Sequence, residues 1–296
     1  MSTVVIVRDK NLFSSGNDMS EKSLARMYTQ GLFKLTEQSR WKDCLHSFLP
    51  MKDNIGIKIN TIGGKSISTC PDVSLCLANL LLENQNTDGD VIVWDRTNRE
   101  LQVAGYKLNW NRKGVKVFGT DTQGIGYNRN LISHLNIGSL FSTIQSDHIS
   151  STISLAILKD HGLAGVTAGM KNYFGAIHNP NKYHDSNCDP YVAEVFDTFL
   201  IKSKHKLTVL DGLIVQYHRG PSFHPRWAEK LGVMIFSFDP VAADAIGWQI
   251  IETLRAKKGL PSLAEEEREP MYLKTAEKMG LGTADFDKIT TKEVEV

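Results

Sequence analysis

The chain has 296 residues, 41% of them hydrophobic and 23% charged, and its 34 Lys and Arg nearly balance its 33 Asp and Glu, for a net charge of +1. That balance excludes the electrostatic footprint of a nucleic-acid-binding protein, or of one drawn to an anionic membrane. No apolar stretch approaches the roughly 20 residues of a transmembrane helix, and the opening MSTVVIVRDK has neither the basic region nor the long apolar run of a secretory signal.

Residues 4–7 predict a first strand, ending at Arg8 and Asp9. After a polar loop through Ser14, Ser15 and Gly16, Asp18 with Glu21 three residues on gives a helix-start signal, and Leu24, Met27, Leu32 and Leu35 form a helical stripe. Residues 55–60, IGIKIN, predict a second strand. Alternation places Ile55, Ile57 and Ile59 on one face and Gly56, Lys58 and Asn60 on the other. A lysine within a covered strand needs a partner, because an unpaired buried charge is costly; Lys58 is therefore either an edge-strand lysine or one that points into a polar site. Gly63-Gly64-Lys65-Ser66 fails as a phosphate loop, since Ile59 stands where the first glycine is required. Thr69, Pro71 and Asp72 open a helix whose apolar face is Val73, Cys76, Leu77, Leu80 and Leu81. A third strand at 91–94 ends in Asp95, which either caps the following helix at 99–104 or faces a ligand or metal. Further strands are predicted at 115–118 and 140–144. The loop between them contains Gly124-Ile-Gly126 but Arg129, so it holds no dinucleotide fingerprint.

The richest stretch is ISLAILKDHGLAGVTAGMKNYFGAIHNPNKYH, residues 153–184. An apolar strand at 153–158 gives way to Lys159, Asp160 and His161. A small-residue helix is expected over 166–174, carrying Lys171 and Asn172; His178 and His184 close the stretch. Ligands of open α/β sheets bind at the carboxyl ends of strands. Beyond it, a helix is expected over 191–201, a strand at 207–212 carrying Asp211, and a strand at 232–238. Asp239-Pro240 then cap a helix containing Asp244, an acid among alanines that calls for a cationic or metal partner. Glu265, Glu266 and Glu267 read as a solvated run, and a last helix at 271–279 ends at Gly280-Leu-Gly282. The cysteines Cys44, Cys70, Cys76 and Cys188 match no zinc, redox or iron–sulfur spacing and read as free thiols.

LKDH followed by GLAGVTAGMKNYFGAI resembles the LKTH…TGxxKNxFG core of the domain-of-unknown-function family 362. Lys58 and Asn60 match that family's IKPN strand, LTVLDG at 207–212 its LTIVDG, and DPVAADA at 239–245 its DPVALDA. The resemblance runs from about residue 55 to the C-terminus and implies a family without a settled reaction. The chain departs from the pattern at Cys70, where the family has histidine, and after Asp211, where a Met-Glu pair is absent. Members often carry a twin-arginine leader, so the expected location is cytoplasmic, or exported after removal of a leader. Members often also append a four-cysteine segment; this chain lacks it, and no iron–sulfur cluster is expected.

Strands alternating with helices predict an α/β class with a largely parallel sheet flanked by helices. The sheet is expected in one unit over 1–296, with sub-lobes at about 1–145 and 146–296 as the alternative. The strand-end residues predict one site for a small anion. His161, Lys159 and Lys171 are the candidate catalytic groups, with His161 as general base or acid. Lys58, Asn60, Asn172 and Asp211 are candidates for substrate binding. Asp95, His178, His184 and Asp244 are candidates for a metal ion, for which the inventory leaves room. Three readings follow: an enzyme on a small anionic substrate, a non-catalytic binder of a small anion or metal complex, and a metal-dependent hydrolase. The last has no H-x-x-x-H or H-E-x-x-H spacing behind it, and a serine hydrolase has no G-x-S-x-G.

Overall fold

The computed structural model describes residues 1–13, 19–50, 54–84, 89–111 and 114–296. The expectations placed on Ser14, Ser15, Gly16 and Asp18 lie outside them. In chain order the elements are β1 (Ser2–Arg8), α1 (Glu21–Thr36), α2 (Trp41–His46), β2 (Ile55–Lys58), α3 (Pro71–Asn84), β3 (Val91–Asp95), α4 (Asn98–Val103) and β4 (Lys116–Gly119). A small hairpin of β5 (Ile132–His134) and β6 (Ile137–Ser139) follows. Then come β7 (Ser151–His161), β8 (Gly165–Thr167), α5 (Tyr191–Asp197), α6 (Phe199–Lys202), β9 (His205–Gln216), β10 (Ala228–Ser237), α7 (Pro240–Lys257), α8 (Tyr272–Lys278) and β11 (Ile289–Glu295).

A 9-stranded sheet runs in the order β11-β1-β10-β9-β7-β2-β3-β4, with β8 paired to β7. The stretch from β9 through β7, β2 and β3 to β4 is parallel throughout. Those strands therefore end along one edge. β10 is antiparallel to β9 and to β1, and β11 runs parallel to β1. The sheet is buried on both sides, so this is an α/β fold with a largely parallel sheet between helices. Alternation along β1 sends Val5 and Val7 into one apolar core with Leu24 of α1 and Leu77 of α3. It sends Val4 and Ile6 into the other, with Val192 of α5, Val241 of α7 and Leu273 of α8. The sheet also threads across the boundary expected near 145, for β7 lies between β9 and β2.

Several expected elements differ. β7 runs on through Lys159, Asp160 and His161 and is buried along its whole length. Polar residues continue this strand because one of its sides now faces a cavity. The helix expected over 166–174 is instead β8, a turn and a 3-10 helix at Lys171–Ala176. In place of the strand expected at 140–144, Phe141 and Ser142 make isolated bridges to Ile177 and Tyr127, and a π-helical turn runs over Ile144–His148. The helix expected over 191–201 breaks at Thr198, where ψ is 140°. β11 has no counterpart among the expected elements. Asp239 does cap α7, accepting from the N–H groups of Val241 and Ala242 at 2.9 Å. All four cysteines are free. Among the described residues no helix is long and apolar enough to cross a membrane.

Candidate functional site

The last residues of β2 and β3 build the floor of the site. Lys58 and Asp95 form a buried ion pair with Nζ 2.6 Å from Oδ1. Asp95 also accepts from the backbone N–H of Thr61 at 2.8 Å and its hydroxyl at 2.6 Å. Lys58 donates further to the Ile59 carbonyl at 2.7 Å and to Asn172 Oδ1 at 3.2 Å. Burial lowers the Lys58 pKa, and Asp95 opposes that shift. Asn172 is held through its own N–H groups, which reach the Lys58 carbonyl and Ser154 Oγ. Gly175 closes over the pair: a Cβ there would lie 2.6 Å from Lys58 Nζ and 2.9 Å from Asp95 Oδ1. The glycine is therefore what lets backbone cover this ion pair.

The end of β7 and the 3-10 helix after β8 supply the wall. Lys159, 1% exposed, donates to the Ile67 carbonyl at 3.1 Å. No carboxylate pairs with it among the described residues. Burial lowers its pKa to about 8, with the more distant Asp95 opposing. Lys171 lies 4.3 Å above the Phe174 ring and 3.2 Å from His184 Nε2. Burial lowers it to about 8 as well, opposed by the Cys188 sulfur beside it. His184 hydrogen-bonds the Pro180 carbonyl through Nδ1 at 3.1 Å. Since a carbonyl only accepts, Nδ1 carries the proton and Nε2 accepts from the lysine.

His161 stacks on His184, with ring centroids 5.7 Å apart. Its Nδ1 accepts from the N–H groups of Leu163 and Ala164 at 3.2 and 3.1 Å. Both partners are donors, so the proton of the neutral ring sits on Nε2. Burial, then Lys171, His184 and Lys159, lower its pKa to about 2. His161 is thus a fixed hydrogen-bond donor. Of the two expected roles, general base or acid, the base would need Nδ1, which the backbone N–H groups of Leu163 and Ala164 already occupy.

These groups surround a cavity of about 300 Å³. Lys58, Asn60, Asp95, Lys159, His161, Lys171, Asn172 and His184 all line it. Asn60 Oδ1 is buried there without a hydrogen-bond partner. Three expected members do not line it. Asp211 accepts from the Leu213 N–H at 3.2 Å, its one hydrogen bond among the described residues, and burial raises its pKa to about 7. Among the described residues Asp244 has no cationic partner. It accepts from the N–H groups of Gly169 and Met170 at 2.7 and 3.0 Å, and burial raises it to about 7 against those bonds. It fixes the turn that delivers Lys171. His178 is exposed and packs against Tyr127. The expected metal set therefore does not converge. Asp95 is committed to Lys58 and Thr61, His184 to Lys171 and Pro180. Among the described residues no group of three or more His, Cys, Asp or Glu is placed to hold a metal ion.

A second set, invisible in the sequence, anchors the wall. Asp160 points away from the cavity, between Lys159 and His161. It accepts from the Gly220 N–H at 2.8 Å and from Arg268 at 2.5 Å. Arg268 and the buried Arg255 share Glu266, so Glu266 is not the solvated residue the acidic run suggests. Phe174, Arg96 and Pro221 also line the cavity. Arg96 pairs with Glu100. Of these, Phe174 stands in the KNYFG stretch and Arg96 directly follows a strand-end acid.

A crystal structure of a Thermotoga maritima protein, a target of the Northeast Structural Genomics Consortium, matches with 9% identity and a TM-score of 0.47; the match covers 83% of this chain and 60% of that one. No curated protein matches the sequence. The family model described as "Domain of unknown function (DUF362)" matches residues 55–249, a span that takes in β2 through more than half of α7 and every residue lining the cavity. The chain belongs to the DUF362 family.

Proposed function

We propose that this protein is an enzyme acting on a small anionic substrate, with Lys171 and His161 seating the anionic group and Lys159 as the acid–base residue beside it. One observation carries the reading. Two buried lysines, Lys159 and Lys171, face one cavity without a carboxylate of their own. The third, Lys58, is neutralised by Asp95. Buried charge without a counter-charge is unfavourable, and a bound anion removes that penalty while adding charge-assisted hydrogen bonds. A lysine lowered to about 8 is poised to take and return a proton near neutral pH. His161 Nε2–H is a fixed donor for an oxygen that gains negative charge. Proton transfer at a carbon next to a carboxylate uses all three.

The test is a panel of small carboxylates incubated with the protein in D2O, with loss of the C–H signal at the carbon next to the carboxylate followed by NMR. Exchange that disappears in Lys159→Met supports the enzyme. Thermal stabilisation by a carboxylate with no exchange favours the other reading, a binding protein for small anions.

A further inference from the structure

We infer that Lys159 is an amine nucleophile that forms an imine with the carbonyl carbon of a small oxo-carboxylate. The inference rests on the anion-site reading above, narrows it to a substrate class and gives Lys159 a covalent role in place of the acid–base one.

The two free lysines of the cavity are not equivalent. Lys171 is surrounded by groups that favour its charged form: the His184 Nε2 lone pair, the Cys188 sulfur and the face of Phe174. Lys159 has one neutral acceptor, the Ile67 carbonyl. Its stem leaves β7 in the centre of the sheet, where flanking strands hold the backbone. Of the two, Lys159 is the side chain with less to lose on becoming a neutral amine. Desolvation in a buried pocket is a setting in which lysines act as nucleophiles. Its pKa, lowered to about 8 by burial, leaves about a tenth of it neutral at pH 7.

The neighbouring groups fit the step. Lys171 takes the carboxylate, which sets the adjacent carbonyl beside Lys159. The amine lone pair forms the C–N bond, and the carbonyl π pair moves to oxygen. His161 Nε2–H lies on the same side of β7, two residues along, and stabilises that oxygen. Both amine hydrogens leave with the oxygen as water, and the C=N bond remains. No oxidant or reductant takes part. Protonated from solvent, the imine draws electrons from the neighbouring C–H bond or carboxylate, the positions at which such acids react.

The experiment treats the full chain with glyoxylate, pyruvate or 2-oxoglutarate in the presence of cyanoborohydride, which fixes an imine as a stable secondary amine. Adducts are mapped by peptide mass spectrometry, with denatured protein as the background. The expected result is labelling at Lys159 at least tenfold above any other lysine, lost in Lys159→Arg. Labelling at Lys171 or Lys58 instead, or Lys159 labelled no more than in denatured protein with all three acids, overturns the inference. Lactate, which has the carboxylate but no carbonyl, separates the two claims. If lactate raises the melting temperature and no acid labels Lys159, the imine is wrong and the anion site stands. If neither happens, both fall.

Discussion

Replacing Asp95 by Asn would expose how the site's floor is held. Asp95 is the one carboxylate paired with Lys58 among the described residues, and the lysine is 1% exposed. In the variant the amide oxygen can keep a bond from Thr61, but its NH2 faces an ammonium. Lys58 would be left with the Ile59 carbonyl and Asn172 Oδ1. Removing one partner of a buried pair costs about 3–5 kcal/mol. The alternative is that Lys58 gives up its proton on folding. From a reference pKa of about 10.4, at about 1.36 kcal/mol per unit, that costs about 4.6 kcal/mol at pH 7. At about 2.1 cal/mol/K per residue, the 296 residues correspond to an unfolding entropy of about 0.6 kcal/mol/K, and the melting temperature falls by roughly 7 °C. With Lys58 neutral in the folded variant and protonated when unfolded, the unfolded state binds the extra proton. Stability of the variant then rises with pH, and its deficit shrinks to about 1.9 kcal/mol, or roughly 3 °C, at pH 9. Melting curves of both proteins at pH 7 and pH 9 measure this. A deficit below about 1 kcal/mol at pH 7, or one equal at both pH values, would refute the reasoning. Lys58→Met with Asp95→Asn should recover most of the loss, because no charge then remains buried.

Other consequences can be measured separately. Asp211 has its folded pKa raised to about 7 by burial, so through this carboxyl the wild type loses stability as pH rises between about 4 and 7. Asp211→Asn should gain on wild type over that window in denaturant titrations; parallel curves would contradict the burial of this carboxyl. Affinity for lactate, by calorimetry, should stay flat between pH 6 and 7 and fall above about 8 as Lys159 and Lys171 lose their protons. A midpoint near 6.5 would mean that a charged histidine binds the anion. Gly220→Ala puts a Cβ 1.7 Å from the Asp160 carbonyl oxygen, and backbone must move at the end of β7. Destabilisation of about 3 kcal/mol or more is expected, and a melting temperature like wild type would show that this junction yields.

The sheet was legible because its central strands are short apolar runs. Residues 55–59, 91–94 and 153–158 could hardly be anything but buried strands, and Lys58 stood out as a charge that needed a partner. Its partner, Asp95, was marked by its place at a strand end. What the sequence hid was direction. Lys159 and His161 read as a turn because polar residues normally end a buried run, yet β7 continues through them with alternate side chains facing a cavity. Asp211 and Asp244 had the same strand-end or apolar-helix signature as site acids. Both instead accept backbone N–H groups, and such partners leave no trace in residue type. The family pattern had the same blindness, marking Asp211 and Asp244 as strongly as the lysines. The role of His161 turned on which nitrogen the Leu163 and Ala164 N–H groups reach, a question of loop geometry alone. The network joining Asp160, Arg268, Glu266 and Arg255 spans more than 100 residues of sequence, beyond the reach of local pattern.

The central claim is that Lys171 and His161 seat a small anion beside Lys159. A crystal structure of the protein with lactate tests it most directly. The carboxylate is expected within hydrogen-bonding distance of Lys171 Nζ and His161 Nε2, with the hydroxyl-bearing carbon turned toward Lys159. Lactate bound elsewhere, or a cavity still empty at concentrations that raise the melting temperature, would contradict it.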